Sequence, residues 1–373
     1  MTTGLSRRAA LLVTVVIVGC GGGGGGSGGV NWIDRTQGTA AENLPWRGVA
    51  SDATGTRLVA ITTAGVAGQG GDIWTSADAG ATWANRTTAT AATGQRWWSV
   101  TSDATGSRLV AVAEWPDGSG GDDVWTSADS GATWTKQAMM VSTASLLVGP
   151  TVVSDSSGAH VVLADGEIWT SADSGATWTD QTGGTSAAAQ NWAGMAADAT
   201  ATRLVAITAY NDIWTSADGG ATWTNRTTGT AASAQAWQAV ASDSTGTNLV
   251  AVAQETLTAG GIAYGLDIWT SADSGATWTN RTAGTAASGN LWWAVASNAT
   301  GGRIVAVSAH GRENDVWTSA DSGTTWTNET KGTPASGQQW AAVASDATGT
   351  HLVAVSANPP GGGPCCFGSI WTN

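Results

Sequence analysis

Three arginines, Arg47, Arg96 and Arg312, stand outside the regular patterning of this chain, and converging guanidinium forks are what a carboxylate-binding site requires. Glu114, Asp117, Asp122, Asp165, Glu255, Glu313 and His310 occupy the same stretches. Two such carboxyl groups facing across a cleft could serve as acid and base on a glycosidic bond. Neither set has a spacing signature, and solvated loop charge is the plainer reading of both. Six aromatic residues are equally irregular: Trp98, Trp115, Tyr210, Tyr264, Trp293 and Phe367. Their rings could stack on sugars or anchor a protein partner, while pinning their own loops is the competing role. With Arg47, Arg96, Arg312 and His310 they form the candidate ligand-binding set. Cys365 and Cys366 are adjacent in a Pro- and Gly-rich stretch. They could close a strained vicinal disulfide in an oxidising compartment, with free thiols or intermolecular links as alternatives.

Other chemistries find no support in the residues. Three histidines make no ligand set, and there is no Gly-Lys-Ser phosphate loop, nucleophile elbow or dinucleotide fingerprint, so neither metal nor cofactor is expected. The formal charge of -13 repels phosphates, which makes nucleic acid a poor partner. At the N-terminus, Arg7 and Arg8 precede an apolar run from Ala9 to Val18, too short to span a bilayer and of the length of a signal-peptide core. The run ends Ile17-Val18-Gly19-Cys20, which resembles a bacterial lipobox. That resemblance implies removal of residues 1–19, lipidation of Cys20, a Gly-rich tether over 20–29, and an exported body held to a bacterial membrane by its lipid alone. A plain secretory signal cleaved elsewhere is the alternative.

The elements that must position these groups come from repetition. The segment Val49-Ala-Ser-Asp-Ala-Thr-Gly-Thr-Arg-Leu-Val-Ala-Ile61 returns from Val100, Val152, Met195, Val240, Val295 and Val343, making seven copies. A second segment begins Ile73-Trp74-Thr75-Ser76 and recurs with its leading Trp at 125, 169, 214, 269, 317 and 371. Short apolar, β-branched runs between turn signals predict four strands per unit: one ending at Ser51, one over 58–62, one over 73–76 and one over 82–87. Four-stranded units repeated radially make a β-propeller, here all-β with seven blades over residues 30–373 and expected as a monomer. The last unit stops at Asn373 after its third strand, while Asn31 to Thr36 reads like the fourth strand of other copies. The N-terminal strand is therefore expected to complete blade seven.

Between the third and fourth strands the pattern Ser-x-Asp-x-Gly-x-Thr-Trp occurs six times, with its acids at Asp78, Asp129, Asp173, Asp218, Asp273 and Asp321. This resembles the Asp-box, or BNR, repeat found in sialidases, xyloglucanases, sortilin-type receptors and the photosystem II assembly and stability factors. The resemblance implies a fold, and these acids are expected to brace turns rather than to catalyse. Seven blades and no further domain look most like the photosystem factor type. No Arg-Ile-Pro signature precedes the repeats, and Tyr210 and Tyr264 fall in loops, which counts against a sialidase.

The connections divide into two faces. Ser-Asp-Ala-Thr-Gly hairpins and Asp-boxes recur almost unchanged on one, whereas the connections between strands two and three on the other vary from Ala164-Asp165-Gly166 to Gln254 through Leu266 and Ala357 through Gly368. Recognition of a protein or carbohydrate is expected on the variable face. Of the 23 tryptophans, the sets on strands three and four are expected in the core, and the set at 46, 97, 192, 237, 292 and 340 either in interblade packing or around the channel mouth. Asp72, Asp123, Glu167, Asp212, Asp267 and Asp315 precede strand three, and their periodicity favours a structural turn over a calcium ring.

Overall fold

A computed structural model describes residues 31–63, 70–114, 121–137, 140–141, 149–209, 211–258, 261–264, 266–309, 314–357 and 368–373, with 140–141, 255–258 and 261–264 as backbone alone. The predicted blades are present. Blade one consists of Trp46–Ser51, Leu58–Thr62, Ile73–Ser76 and Ala84–Asn85, hydrogen-bonded in that order from the inside outward. Six further antiparallel sheets follow the same order, with the innermost strands neighbouring one another all the way round and Trp340–Ser345 returning to Trp46–Ser51. The fourth strand is shorter than the sequence predicts, because the Asp-box turn runs up to Trp83 and an Asx turn begins at Asn85. The long connection in blade five also departs from a simple loop, since Glu255–Thr258 pairs with Gly261–Tyr264 as a separate hairpin.

Blade seven closes as expected. Ile33–Asp34 pairs antiparallel with Ile370–Thr372, matching Ile33 to Thr372 and Asp34 to Trp371. Arg35 adds a bond from its amide to the Ile370 carbonyl at 2.8 Å and one from Nε to the Thr372 hydroxyl at 2.7 Å. Trp32 is buried against Trp340, ring centroids 6.2 Å apart.

The recurring hairpin does more than turn the chain. The amide of Ala53 donates to the carbonyl of Ala104, Ala104 to Ser156, Ser156 to Ala199, Ala199 to Ser244, Ser244 to Ala299, Ala299 to Ala347, and Ala347 back to Ala53, each at 2.9–3.0 Å. One bond per blade thus makes a closed backbone ring. Asp52 holds the hairpin in shape by accepting the amides of Thr54 and Thr56 at 3.2 and 2.9 Å. Gly55 has φ +73°, and a Cβ there would stand 2.6 Å from the Cβ of His351 in the neighbouring blade, so this copy favours glycine on both counts, whereas blade four carries Ala201 at φ +52° in the matching place. The periodic arginines also join blades: Arg57, Arg108 and Arg203 donate to the hydroxyls of Ser130, Ser174 and Ser274 in the next Asp-box.

Tryptophan supplies the bulk between blades. Each first-strand Trp stands edge-on to the third-strand Trp of its own blade at 6.1–6.3 Å and lies tilted against the fourth-strand Trp at 5.9–6.5 Å. These triads pack on the sheet of the preceding blade, as Trp97 and Trp125 do on Val59, Ile61 and Ile73. The first-strand set is at most 1% exposed and belongs to the interblade core, not to the channel mouth. Blade three alone lacks a first-strand Trp, with Gly149 in its place.

Polar periodicity is structural as well. Asp78 accepts the amide and hydroxyl of Thr82 at 2.8 and 2.6 Å, while Ser76 donates to Asp78 and accepts the Gly80 amide. The same bonds recur at Asp129, Asp173, Asp218, Asp273 and Asp321. At Asp173, the hydroxyl and amide of Thr177, with Ser171, hold the carboxyl down at about 2. Asp72, Asp212, Asp267 and Asp315 each bind the Asn that ends strand four and the Thr two residues further on, Asp212 taking Thr228 and Ser233 as well, Glu167 binds Thr182, and Asp123 pairs with Lys136 at 2.8 Å. These acids serve turns, and among the described residues no group of three or more His, Cys, Asp or Glu could hold a metal ion. No helix among the described residues is long and apolar enough to cross a membrane.

A chain starting at residue 37 leaves the third strand of blade seven without its neighbour and removes Trp32. Loss of that buried ring alone is expected to cost about 3–5 kcal/mol. Differential scanning fluorimetry should show a clearly lower melting temperature, and an unchanged one would refute closure of the ring by this strand.

Candidate functional site

The variable face is built around an irregularity of the innermost strands. In six blades the register shifts at the second residue of strand one, between Trp46 and Gly48, Trp97 and Ser99, Trp192 and Gly194, Trp237 and Ala239, Trp292 and Ala294, and Trp340 and Ala342. A β-bulge inserts one residue opposite a single partner and re-aims its side chain. The bulged residues are Arg47, Trp98, Ala193, Gln238, Trp293 and Ala341, with Pro150 at the matching place in blade three. The position before them is Trp in six of seven copies and the one after is always Gly, Ala, Ser or Thr, whereas this one takes Arg, Trp, Pro, Ala or Gln. Comparing the seven copies position by position would have singled it out from sequence.

Two of these residues meet. The Arg47 guanidinium carbon sits 3.4 Å from the centre of the Trp98 ring, a cation–π contact between neighbouring blades. Trp98 in turn lies on blade three: a Cβ at Gly149 would fall 1.9 Å from the indole, so the missing first-strand Trp is what makes room for the ring. Arg47 is only 3% exposed, which corrects the expectation of a solvated loop charge. Burial lowers its pKa to about 9, with Glu114 opposing the shift and Arg96 adding to it. Its Nε and Nη2 have no hydrogen-bond partner among the described residues. Arg96 and Glu114 face each other across the first two strands of blade two and form an ion pair at 3.3 Å.

The adjacent seam between blades two and three carries two further acids. Asp122 is buried at the start of the third strand of blade two and is hydrogen-bonded to Asp165, at the end of the second strand of blade three. Burial raises the Asp122 pKa well above the ordinary carboxyl value, and the charges of Asp165, Glu114 and Asp123 raise it further. Two carboxyl groups in direct hydrogen bond stand closer than the roughly 5–9.5 Å separation of glycosidase pairs. The arrangement is that of a shared proton between blades.

The structure therefore brings Arg47, Arg96, Trp98 and Glu114 together and places Trp293, 9% exposed, on the same bulge in blade six. Neither described tryptophan offers an open ring: Trp98 is covered by Arg47 and abuts Gly149, and Trp293 is buried. Tyr264 lies on the hairpin of blade five, paired with Glu255 along the backbone. Trp115, Tyr210, His310, Arg312, Phe367, Cys20, Cys365 and Cys366 lie outside the described residues. Sequence reasoning missed Gln254, Gln338 and Gln339, which carry buried polar atoms without partners among the described residues. All three sit at the same rim, at the end of strand two in blade five or just before strand one in blade seven. Clefts beside the Asp-boxes, lined by Arg57, Arg86 and Ser130 in one seam and Arg203, Arg226 and Ser274 in another, recur with the repeat and belong to the fold.

No family model matches the chain, and no curated protein matches it. Solved structures do. A GH74 xyloglucanase from Xanthomonas campestris aligns with a TM-score of 0.64 at 18% identity, over 88% of this chain and 52% of that one, so this chain spans about half the enzyme's length. YCF48 bound to D1 peptide aligns at TM-score 0.60 and 13% identity over 93% of this chain and 97% of that one, and YCF48 from Cyanidioschyzon merolae at 0.61 and 13% over 91% and 98%. Identities this low establish a shared propeller fold and leave chemistry to be argued from the site.

The seam yields two tests. The folded state holds a proton on Asp122 that the unfolded chain releases near pH 4, so this group favours folding at acid pH and the benefit is lost as pH rises. Asp122→Asn keeps a donor toward Asp165 without the ionisation. Its melting temperature relative to the parent should rise as pH increases above about 4, and a difference that does not change with pH would refute the shared proton. Gly149→Ala should destabilise by about 1–3 kcal/mol through the clash with Trp98. In a double-mutant cycle by urea denaturation, Trp98→Ala should relieve that penalty, whereas simple additivity would break the link.

Proposed function

We propose that this propeller is a non-enzymatic binding module that holds a protein ligand at the rim of its variable face. The observation that carries this reading is where hydrogen bonding fails. Apart from tryptophan ring nitrogens and the ion-paired Glu114, the buried side-chain polar atoms without a partner among the described residues belong to Arg47, Gln254, Gln338 and Gln339, all at this rim. Each such atom costs about 1–3 kcal/mol unless something binds it, whereas the carboxylates of the opposite face are engaged by local amides and hydroxyls, and the unpartnered atoms of its Asp-boxes are the ring nitrogens of Trp83 and Trp134. Among the described residues, Trp98 and Trp293 do not offer the open aromatic face that stacking on a sugar ring needs, which supports a polypeptide ligand. YCF48, similar in fold, has been solved with a D1 peptide bound, which is consistent with the reading. The propeller would be presented outside the cytoplasm by lipid on Cys20, a part of the proposal that metabolic labelling with a fatty acid, comparing the parent with Cys20→Ala, would decide.

Arrays of random dodecapeptides and of glycans test the binding reading. Peptide capture is expected, falling at least tenfold when the 255–264 hairpin is replaced by the short Ala164-Asp165-Gly166 connection of blade three while the melting temperature holds. Glycan capture alone, or turnover of xyloglucan or sialosides at any pH, would overturn it.

A further inference from the structure

The clefts beside the Asp-boxes recur with the repeat, but their charge does not. Two positions set it. The first is the hairpin residue whose carbonyl accepts the amide of Asp52 or its equivalent, an arginine in blades one, two, four and six and His160, Asn248 or His351 elsewhere. The second follows strand four and donates its amide to the residue before the third-strand tryptophan. It is Arg86, Arg226, Arg281 or Arg35 in blades one, four, five and seven, and Gln137, Gln181 or Glu329 elsewhere. Blades one and four alone carry arginine at both. Their clefts hold about 140 Å³ between Arg57, Arg86 and Ser130 of the next blade, and about 180 Å³ between Arg203, Arg226 and Ser274 of the next blade. In blade five, where Asn248 faces Arg281, the space falls to about 30 Å³.

We propose that the clefts of blades one and four each bind one small doubly charged oxyanion, a sulfate or phosphate group. The site lies on the face opposite the variable rim and does not rest on the reading given above. Each guanidinium is positioned by hydroxyls and keeps donors to spare. Nε of Arg86 and of Arg226 donates to Thr75 and Thr215 at 2.7 Å. Nη1 of Arg57 and of Arg203 donates to Ser130 and Ser274 at 2.9 and 3.1 Å, with Arg203 reaching Thr247 as well. Among the described residues none of the four pairs with a carboxylate, and no carboxylate lines either cleft. The adjacent Asp78 and Asp218 are engaged by the Ser and Thr of their own boxes. Arg57 and Arg203 are exposed, and the unused nitrogens of the partly buried Arg86 and Arg226 are open to solvent, so a ligand can reach them. Two cations beside one cavity match a dianion, whereas a carboxylate neutralises only one of them. Tetrahedral oxygens also accept from guanidinium groups that arrive from separate elements, here a hairpin and the end of a fourth strand. The hydroxyls hold both side chains beforehand, which lowers the ordering cost of binding. The net negative charge that repels long polyanions acts weakly on a single small ion in a local positive cleft.

The arginine Nε–H signals in a nitrogen–proton correlation NMR spectrum read the site directly. Sodium sulfate is titrated into the parent protein against sodium chloride of equal ionic strength. Signals of Arg57, Arg86, Arg203 and Arg226 are expected to shift and saturate at millimolar sulfate, while those of Arg108 and Arg303, whose blades carry Gln137 and Glu329 at the second position, stay still. Arg86→Gln and Arg226→Gln install the residue of blades two and three, where Gln137 and Gln181 make the same bond to the third-strand Thr at 2.7 and 2.8 Å, so the fold is kept. Each variant should abolish the sulfate response of its own cleft, read at Arg57 or Arg203, and leave the other cleft unchanged. Equal shifts at all six arginines, no saturable shift in the parent, or a response at Arg57 that survives Arg86→Gln would overturn the site. Sodium acetate that reproduces the sulfate response at equal concentration would overturn the dianion assignment. N-acetylglucosamine 6-sulfate separates the sources: a response equal to that of sulfate upholds the site as one for an ester group on a larger molecule, and a response to sulfate alone upholds it as one for the free ion.

Discussion

Seven peptide groups, donating one to the next from Ala53 round to Ala347 and back, set the constraint on which this molecule depends. Each bond joins a hairpin to its neighbour, and the series has no end. A closed series fixes the angle between adjacent blades, because one bond cannot lengthen without straining the others. The hairpins are correspondingly monotonous. Asp52 and its equivalents spend their oxygens on local amides, Gly55 leaves no room for a side chain, and Arg57 reaches across to the Asp-box next door. Variation on this face would disturb the ring, so the repeat stays constant there.

At the other end of the same strands the constraint is released. The bulge after each first-strand tryptophan lets one residue leave the ladder without disturbing the pairing of those that follow, so a single position can change while Val49, Ala50 and Ser51 remain in register. Blade three loses its tryptophan at that end, and the space is used by Trp98, which in turn supports Arg47. The local disorder of the repeat, from the absent ring at Gly149 to the acid pair of Asp122 and Asp165, is therefore connected and lies on one side of the propeller. Stability comes from the constant end and the Trp triads. Specificity is placed where neither is affected.

Much of the architecture was legible because repetition amplifies weak signals. A single Ser-x-Asp-x-Gly turn says little, but six in phase define blades, and the surplus strand at Asn31 matched to the deficit at Asn373 defines closure. The candidate site was legible only in part. Arg47 and Trp98 were visible as departures from the repeat, yet nothing in their neighbourhood announces that one covers the other, because the contact runs between blades and depends on a glycine about 50 residues further on. The glutamines were missed for a different reason. Gln is an ordinary surface residue, and only burial without a partner distinguishes Gln254, Gln338 and Gln339. The backbone ring of hairpins left no trace in residue type beyond the small side chains that permit it.

Closure of blade seven by strands from both ends of the chain bears on how the protein is made. Ile33 is among the first described residues to leave the ribosome and its partner Thr372 nearly the last. Blades one to six can each assemble as they emerge, but Trp32 has no mate until Trp340 has emerged. The nascent toroid must therefore remain unsealed until its last blade has been made, with an apolar edge open on either side of the gap.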